Sequence, residues 1–334
     1  MTNALTDRPD PSPLLSVRDL SIDFVTRRGS VRALDRVSFD MVPGEILGLV
    51  GESGAGKSLS GNAIIGLIDP PGRIAEGQIS LDGRRIDTLA PRDMRKLRGR
   101  SIAAIFQDPL TSLDPLMRIG DQITETILTH LPVSRRQARQ RALDLMRAVG
   151  IPAPDVRIDH YPHQFSGGMR QRVVIALALC ADPKLIIADE PTTALDVSIQ
   201  AQILSLLKTM CREHQTAILL VTHDMGVIAE AADRVAVMYA GRLVEIGPVE
   251  EVLRAPKHVY TAGLIGSIPS LNRRRERLVQ IDGAMPRPGS VPSGCPFAPR
   301  CPKRIDKCAE RPELLPIGNS HAACWRAGEG HSYA

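Results

Sequence analysis

Apolar and polar residues alternate from Leu15 to Phe24 with the two-residue period of a strand that buries one face. Arg27-Arg28-Gly29-Ser30 supplies a turn into a second such run around Val31–Phe39. Glu45-Ile46-Leu47-Gly48-Leu49-Val50 is apolar after its first residue, the pattern of a strand buried on both faces, and it leads into a glycine-rich loop. From Lys57 the spacing turns helical until about Ile68, where Asp69-Pro70-Pro71-Gly72 stops it. A strand pair is expected at Gly77–Leu81 and Ile86, around the Asp82-Gly83 turn, and a further strand at Ile102–Phe106.

Residues 108–165 change character. Ile123, Ile127 and Leu128, then Ala142, Leu143, Leu145 and Met146, fall at helical spacing, broken by Pro132, Pro152 and Pro154, which predicts a small helical insertion. Strand and helix then alternate again through Lys184–Ala188, Ile199–Cys211, Ala217–Thr222 and Ala236–Tyr239. Such alternation predicts an α/β fold with a mostly parallel sheet. After about Gly247 the rhythm weakens, Arg273–Arg277 is a charged break, and Pro286–Pro302 is rich in Pro and Gly. The expected division is a lead-in at 1–14, a core at 15–247 with a helical part at about 108–180, and an appended region at 248–334.

Composition narrows the function classes. The formal net charge is +5 over 334 residues, mild basicity that suits an anionic membrane surface but not a nucleic-acid footprint. The longest strongly apolar run, Val173–Ala181, is about half of the roughly 18 residues that span a bilayer. The first fifteen residues lack the basic stretch and apolar core of a secretory signal, so a cytoplasmic setting is expected, with the six cysteines read as reduced thiols or metal ligands. Aromatic residues make up only 3%, so the interior must be largely aliphatic.

Gly51-Glu52-Ser53-Gly54-Ala55-Gly56-Lys57-Ser58, followed by Leu59, has the phosphate-binding pattern GxxxxGK[ST] between an expected strand and an expected helix. Glycines let backbone N–H groups curl around phosphate oxygens, Lys57 neutralises the β- and γ-phosphates, and Ser58 offers a hydroxyl to Mg²⁺. A glycine-rich turn without a ligand is the plainer reading, and the flanking elements argue against it. Leu185-Ile186-Ile187-Ala188-Asp189-Glu190 is an apolar strand ending in two acids. Alone it says little, since buried strands often end so; paired with the loop, Asp189 is expected to orient Mg²⁺ and Glu190 to take a proton from attacking water.

Phe165-Ser166-Gly167-Gly168-Met169-Arg170-Gln171-Arg172 resembles the signature motif of the ATP-binding-cassette ATPases. Gln107 at a strand end resembles the Q-loop residue, Ala194-Leu195-Asp196 the D-loop, and His223 after Leu219–Thr222 the switch histidine. The resemblance implies a RecA-like phosphate-loop core with an antiparallel β subdomain and an α-helical subdomain, and ATP as substrate. It further implies that Ser166, Gly167, Gly168 and Gln171 meet the nucleotide of an opposing cassette and that Asp196 couples the two sites. Gln107 would report on Mg²⁺ and the attacking water, and His223 would hold the γ-phosphate. Phe24 stands where the family places an adenine-stacking aromatic, although a phenylalanine in such a strand is usually core.

Tyr161-Pro162-His163-Gln164, the run Ala188–Val197 and Gly294-Cys295-Pro296-Phe297-Ala298-Pro299-Arg300-Cys301-Pro302 resemble the ATPase subunits of bacterial oligopeptide and dipeptide importers. Gln164 departs from the usual Glu, and His258-Val259-Tyr260-Thr261 carries valine where proline is usual. The implied partners are a second cassette (paralogue or self), two transmembrane permease subunits and an extracytoplasmic substrate-binding protein, with the chain peripheral on the cytoplasmic face of the inner membrane. Cys295, Cys301, Cys308 and Cys324 resemble a [4Fe–4S] ligand set in that branch, with Arg300, Lys303, Arg304 and Lys307 to offset its charge. Zinc and a metal-free set stand as alternatives, the tight C-x2-C pairs of zinc sites being absent. Competing functions are a soluble cassette acting on DNA or ribosomes, a non-hydrolysing regulatory cassette, and an importer ATPase for another solute such as a nickel chelate.

Overall fold

The computed structural model describes residues 12–27, 29–109, 111–192, 196–267, 280–329 and 331. Its strands are β1 (Leu15–Thr26), β2 (Gly29–Met41), β3 (Ile46–Val50), β4 (Gly72–Leu81), β5 (Arg84–Arg85) and β6 (Ile102–Ile105), then β7 (Leu185–Asp189), β8 (Ala217–Thr222), β9 (Arg234–Tyr239), β10 (Arg242–Pro248), β11 (Leu315–Ile317) and β12 (Ser320–Ala322). Its helices are α1 (Lys57–Ile64), α2 (Pro91–Leu97), α3 (Ile119–His130), α4 (Arg135–Ala148) and α5 (Pro154–Arg157), then α6 (Gly167–Leu179), α7 (Val197–His214), α8 (Met225–Ala231), α9 (Val249–Arg254) and α10 (Val259–Gly266).

Two sheets organise these elements. One is antiparallel and four-stranded in the order β2-β1-β4-β5; the other is eight-stranded in the order β11-β12-β10-β9-β3-β8-β7-β6. In the second, β3 pairs parallel with β8 and β9, β8 with β7, and β7 with β6. The parallel strands read as continuous apolar runs because both faces are covered. Ile46 and Val50 of β3 pack into one core with α3, α4 and α6, while Leu47 and Leu49 pack into the other with α1 and the antiparallel sheet.

The elements depart from their expected bounds where turns or pairing intervene. Helix α1 ends at Ile64, ahead of Gly66, whose φ of +68° takes the chain out of the helix and whose N–H caps on the Ala63 carbonyl. Strand β4 begins at Gly72, because Gly72 pairs with Phe24 across to β1. The C-terminal region adds to the main sheet: β12 pairs with β10 through Glu245 and Ala322 and through Ile246 and His321. Phe297 packs edge-on to Tyr239 of β9, with ring centroids 5.3 Å apart, and against Tyr260 of α10 at 5.4 Å. Among the described residues no helix is long and apolar enough to cross a membrane.

Candidate nucleotide site

Register puts the candidate residues side by side. Val50 stands opposite Thr222, Val221 opposite Asp189, and Ala188 opposite Ile105. The loops that leave these strands therefore begin together at the carboxyl edge of the sheet: Gly51 after β3, His223 after β8, Glu190 after β7, and Phe106 with Gln107 after β6. A crevice at that edge is where open parallel sheets bind ligands.

The phosphate loop is shaped by what cannot fit. A Cβ on Gly51 would lie 2.3 Å from the Met238 carbonyl oxygen, and one on Gly56, at φ +104°, 2.4 Å from a Leu34 methyl. Gly54 instead faces open space. The loop is thus packed from behind and open in front. Lys57 begins α1, is 7% exposed, and its ammonium donates to the carbonyls of Gly51 at 2.8 Å and Glu52 at 3.1 Å. Burial lowers its pKa, with Glu190, Asp189 and Glu52 acting the other way.

Ser58 Oγ donates to Asp189 Oδ1 at 3.1 Å, and burial raises the Asp189 carboxyl above the usual carboxylate range. Glu190 holds both remaining partners: Gln107 Nε2 donates to Oε2 at 2.9 Å, and the His223 ring Nδ1 lies 2.9 Å from Oε1. Its backbone is in the left-handed region at φ +48°, fixed by its N–H donating to the Val221 carbonyl at 2.8 Å. Glu190 is 17% exposed at the side chain and His223 60%. A carboxylate so placed can take a proton from water entering the open side, while Gln107 and His223 orient it.

The other motif residues sit elsewhere. Ser166 caps α6, its hydroxyl accepting from Met169 N–H; Gly167 faces open space, while a Cβ on Gly168 would press on Ile199. Gln171 is buried, with its amide nitrogen unpartnered. Asp196 caps α7 by accepting from Ile199 N–H at 2.9 Å; Ala194 and Leu195 lie outside the described residues. Phe24 is half-buried against the core of the antiparallel sheet.

Mg²⁺ is the metal this fold implies, and the donor set suits it: one hydroxyl and one carboxylate, both hard oxygen ligands, with room left for phosphate oxygens.

The iron–sulfur reading of Cys295, Cys301, Cys308 and Cys324 does not stand. Among the described residues, no group of three or more His, Cys, Asp or Glu side chains is arranged to hold a metal ion. The four thiols line one void with Trp325, but its volume is about 20 Å³, room for roughly one water and not a cluster. Burial pushes the Cys295 thiol up to about 11 and raises Cys301 and Cys324. Two of the four proposed counter-charges are engaged elsewhere, Arg300 by Glu52 and Lys307 over the Trp325 ring at 4.0 Å.

Sequence reading named Tyr260 and Arg300 but missed what they do for the phosphate loop. Tyr260 Oη accepts the Glu52 N–H at 2.9 Å, and Arg300 binds the Glu52 carboxylate. They lie 208 and 248 positions from Glu52, so no local spacing links them to it.

The sequence pattern of the ABC transporter family matches residues 34–193, and that of the oligopeptide/dipeptide transporter C-terminal region matches residues 244–308. The dipeptide transport ATP-binding protein DppD of Bacillus subtilis is 47% identical over 315 residues, covering 93% of this chain and 94% of its own. The oligopeptide transport ATP-binding protein OppD of Salmonella typhimurium is 45% identical, with 94% of each covered. Among solved structures, the dimeric ATP-binding cassette MJ0796 in a post-hydrolysis state with ADP and phosphate has a TM-score of 0.63 at 27% identity, over 70% of this chain and 98% of that one.

Proposed function

This chain belongs to the ABC transporter family, in its oligopeptide/dipeptide branch, and from that premise we propose how its site works. The chain is the ATP-hydrolysing subunit that energises a peptide importer. Residues 15–247 form the nucleotide-binding unit and 248–334 the extension. The partners are a second cassette, which closes head to tail on this one, two permease subunits and an extracytoplasmic binding protein. The chain sits peripherally on the cytoplasmic face of the membrane.

The observation that carries the catalytic reading is the double engagement of Glu190 by Gln107 and His223, beside the Ser58–Asp189 pair and above Lys57. The phosphate loop's amides and Lys57 bind the triphosphate. Ser58 and Asp189 would hold Mg²⁺, which when bound neutralises charge on the phosphate oxygens. Gln107 and His223 orient the Glu190 carboxylate toward water entering the open side. Glu190 accepts the proton as the water oxygen bonds to the γ-phosphorus and the bond to the ADP oxygen breaks. His223, 60% exposed at the side chain against 17% for Glu190, is free to turn from Glu190 to the γ-phosphate. Ser166 and Gly167 on the opposing cassette complete the enclosure, which explains why Gly167 faces open space here.

Glu190→Gln is the test. Steady-state hydrolysis in the assembled transporter should fall about 10²- to 10⁴-fold while MgATP binding persists. Near-normal turnover would remove Glu190 from the role of base.

A further inference from the structure

The nucleotide uses one side of the phosphate loop; the other side carries a clasp that the motif does not require. Glu52, directly after Gly51, is held twice by the C-terminal part of the chain. Tyr260, wholly buried on α10, accepts the Glu52 N–H at 2.9 Å. Arg300, which ends the short turn Ala298–Arg300, spreads its guanidinium over the Glu52 carboxylate, Nη1 to Oε2 at 2.8 Å and Nη2 to Oε1 at 3.1 Å.

Arg300 is itself immobilised. Its Nε donates to the Asp282 carbonyl at 2.8 Å, Nη2 to the Ile281 carbonyl at 3.2 Å, and Nη1 to Tyr239 Oη at 3.4 Å. Only 6% of its side chain is exposed, against 28% for Glu52. A two-pronged Arg–carboxylate pair at that burial adds geometric definition more than net stability.

What it defines is the peptide between Gly51 and Glu52. That peptide's N–H is tied to Tyr260, and its C=O accepts from Lys57 at 2.8 Å. The next carbonyl, of Glu52, accepts from Lys57 at 3.1 Å. The position of Glu52 therefore sets where the Lys57 ammonium stands. Arg300 also neutralises a carboxylate that would otherwise leave a like charge on the loop that receives the triphosphate.

We propose that Arg300 is a positioning residue for the nucleotide: through Glu52 the C-terminal region holds the phosphate loop and Lys57 in their ATP-receiving arrangement and cancels the Glu52 charge. The inference rests on the ATP-site reading above and adds to it a dependence of ATP affinity on a residue outside the cassette motifs. Loss of Arg300 affects binding first, because Glu190, Gln107 and His223 lie on other loops.

The test is calorimetric titration of the full-length chain with MgATP, alongside KM and kcat in the assembled transporter. Arg300→Met should raise the Kd and KM about 3- to 10-fold, the range of a coupled contact pair, with kcat within about twofold. Arg300→Lys, which keeps the charge and loses the fork, should fall between. The double variant Glu52→Gln, Arg300→Met should bind no more weakly than Arg300→Met alone, since the stranded carboxylate is gone. Should Arg300→Met fold poorly, Arg300→Lys and Glu52→Gln read the same constants. An unchanged Kd with a lowered unfolding temperature would overturn the proposal by making Arg300 merely structural, and additive losses in the double variant would overturn the route through Glu52. Failure of the wild-type chain itself to bind MgATP would overturn the site reading, and the clasp with it.

Discussion

Two regions of this molecule gather chemistry-bearing side chains from a recognisable pattern, and only one of them is built to react. At the carboxyl edge of the parallel sheet, Lys57, Asp189, Glu190, Gln107 and His223 meet around a loop whose front is open, and Glu190 and His223 keep contact with solvent. In the C-terminal region four cysteines also line one place, but it is a void about the size of one water. Convergence alone is therefore not a site. What separates the two is room for a ligand.

The second region works instead as packing and strap. Phe297 is 1% exposed and meets Tyr239, Tyr260 and His258, at centroid distances of 5.3, 5.4 and 5.8 Å. These rings join the extension to the sheet and to α10 in a chain with few aromatics. Phe297→Ala should cost about 3–5 kcal/mol, read from the denaturation midpoint of the full-length chain, because the cavity is walled by rings that cannot collapse into it. A loss below about 1 kcal/mol would mean that the extension is held elsewhere.

The converse change tests the first region. Lys57→Ala should weaken MgATP binding on the order of 100-fold, about 2.7 kcal/mol, because the triphosphate loses its nearest buried cation. The unfolding midpoint should hold or rise, since an ammonium whose pKa burial lowers adds little to the resting fold. Unchanged affinity would break the contrast between a binding loop and a structural one.

How much of this was legible in the sequence follows the same division. The parallel strands and the phosphate loop could be read because their determinants are local: continuous apolar runs, three glycines and a lysine within eight residues. Their meeting with Asp189, Glu190, Gln107 and His223 followed from motif order, since β3, β8, β7 and β6 are neighbours and each motif ends its strand. The C-terminal region has no such period. Its strands are three residues long and complete a sheet begun by β10, and its decisive contacts join Arg300 and Tyr260 to Glu52 across more than half the chain. The cysteine spacing was visible, but the size of the void the thiols line was not.

The smallest expected effect probes how the strap is held. His258 is buried at the start of α10, and its ring Nδ1 accepts the Tyr260 N–H at 3.0 Å, so the cap requires a neutral imidazole. Burial, aided by His331, pushes its pKa down to about 3, against about 6.5 in an unfolded chain. The unfolded state therefore binds the proton first: the contribution of His258 to stability is complete above pH 6.5 and is lost as pH falls from there toward 3. The loss should approach about 1.4 kcal/mol per pH unit. His258→Asn keeps a side-chain acceptor for the same N–H without titrating in this window. Glu245, which accepts the His258 N–H at 2.9 Å, titrates in both proteins and cancels in the difference. Between pH 6.5 and 5 the wild-type unfolding midpoint should drop more steeply than that of the Asn variant, while MgATP affinity at pH 7.5 stays equal in the two. Parallel pH profiles would mean that the ring is protonated in the folded protein, and the Tyr260 N–H would then need another acceptor.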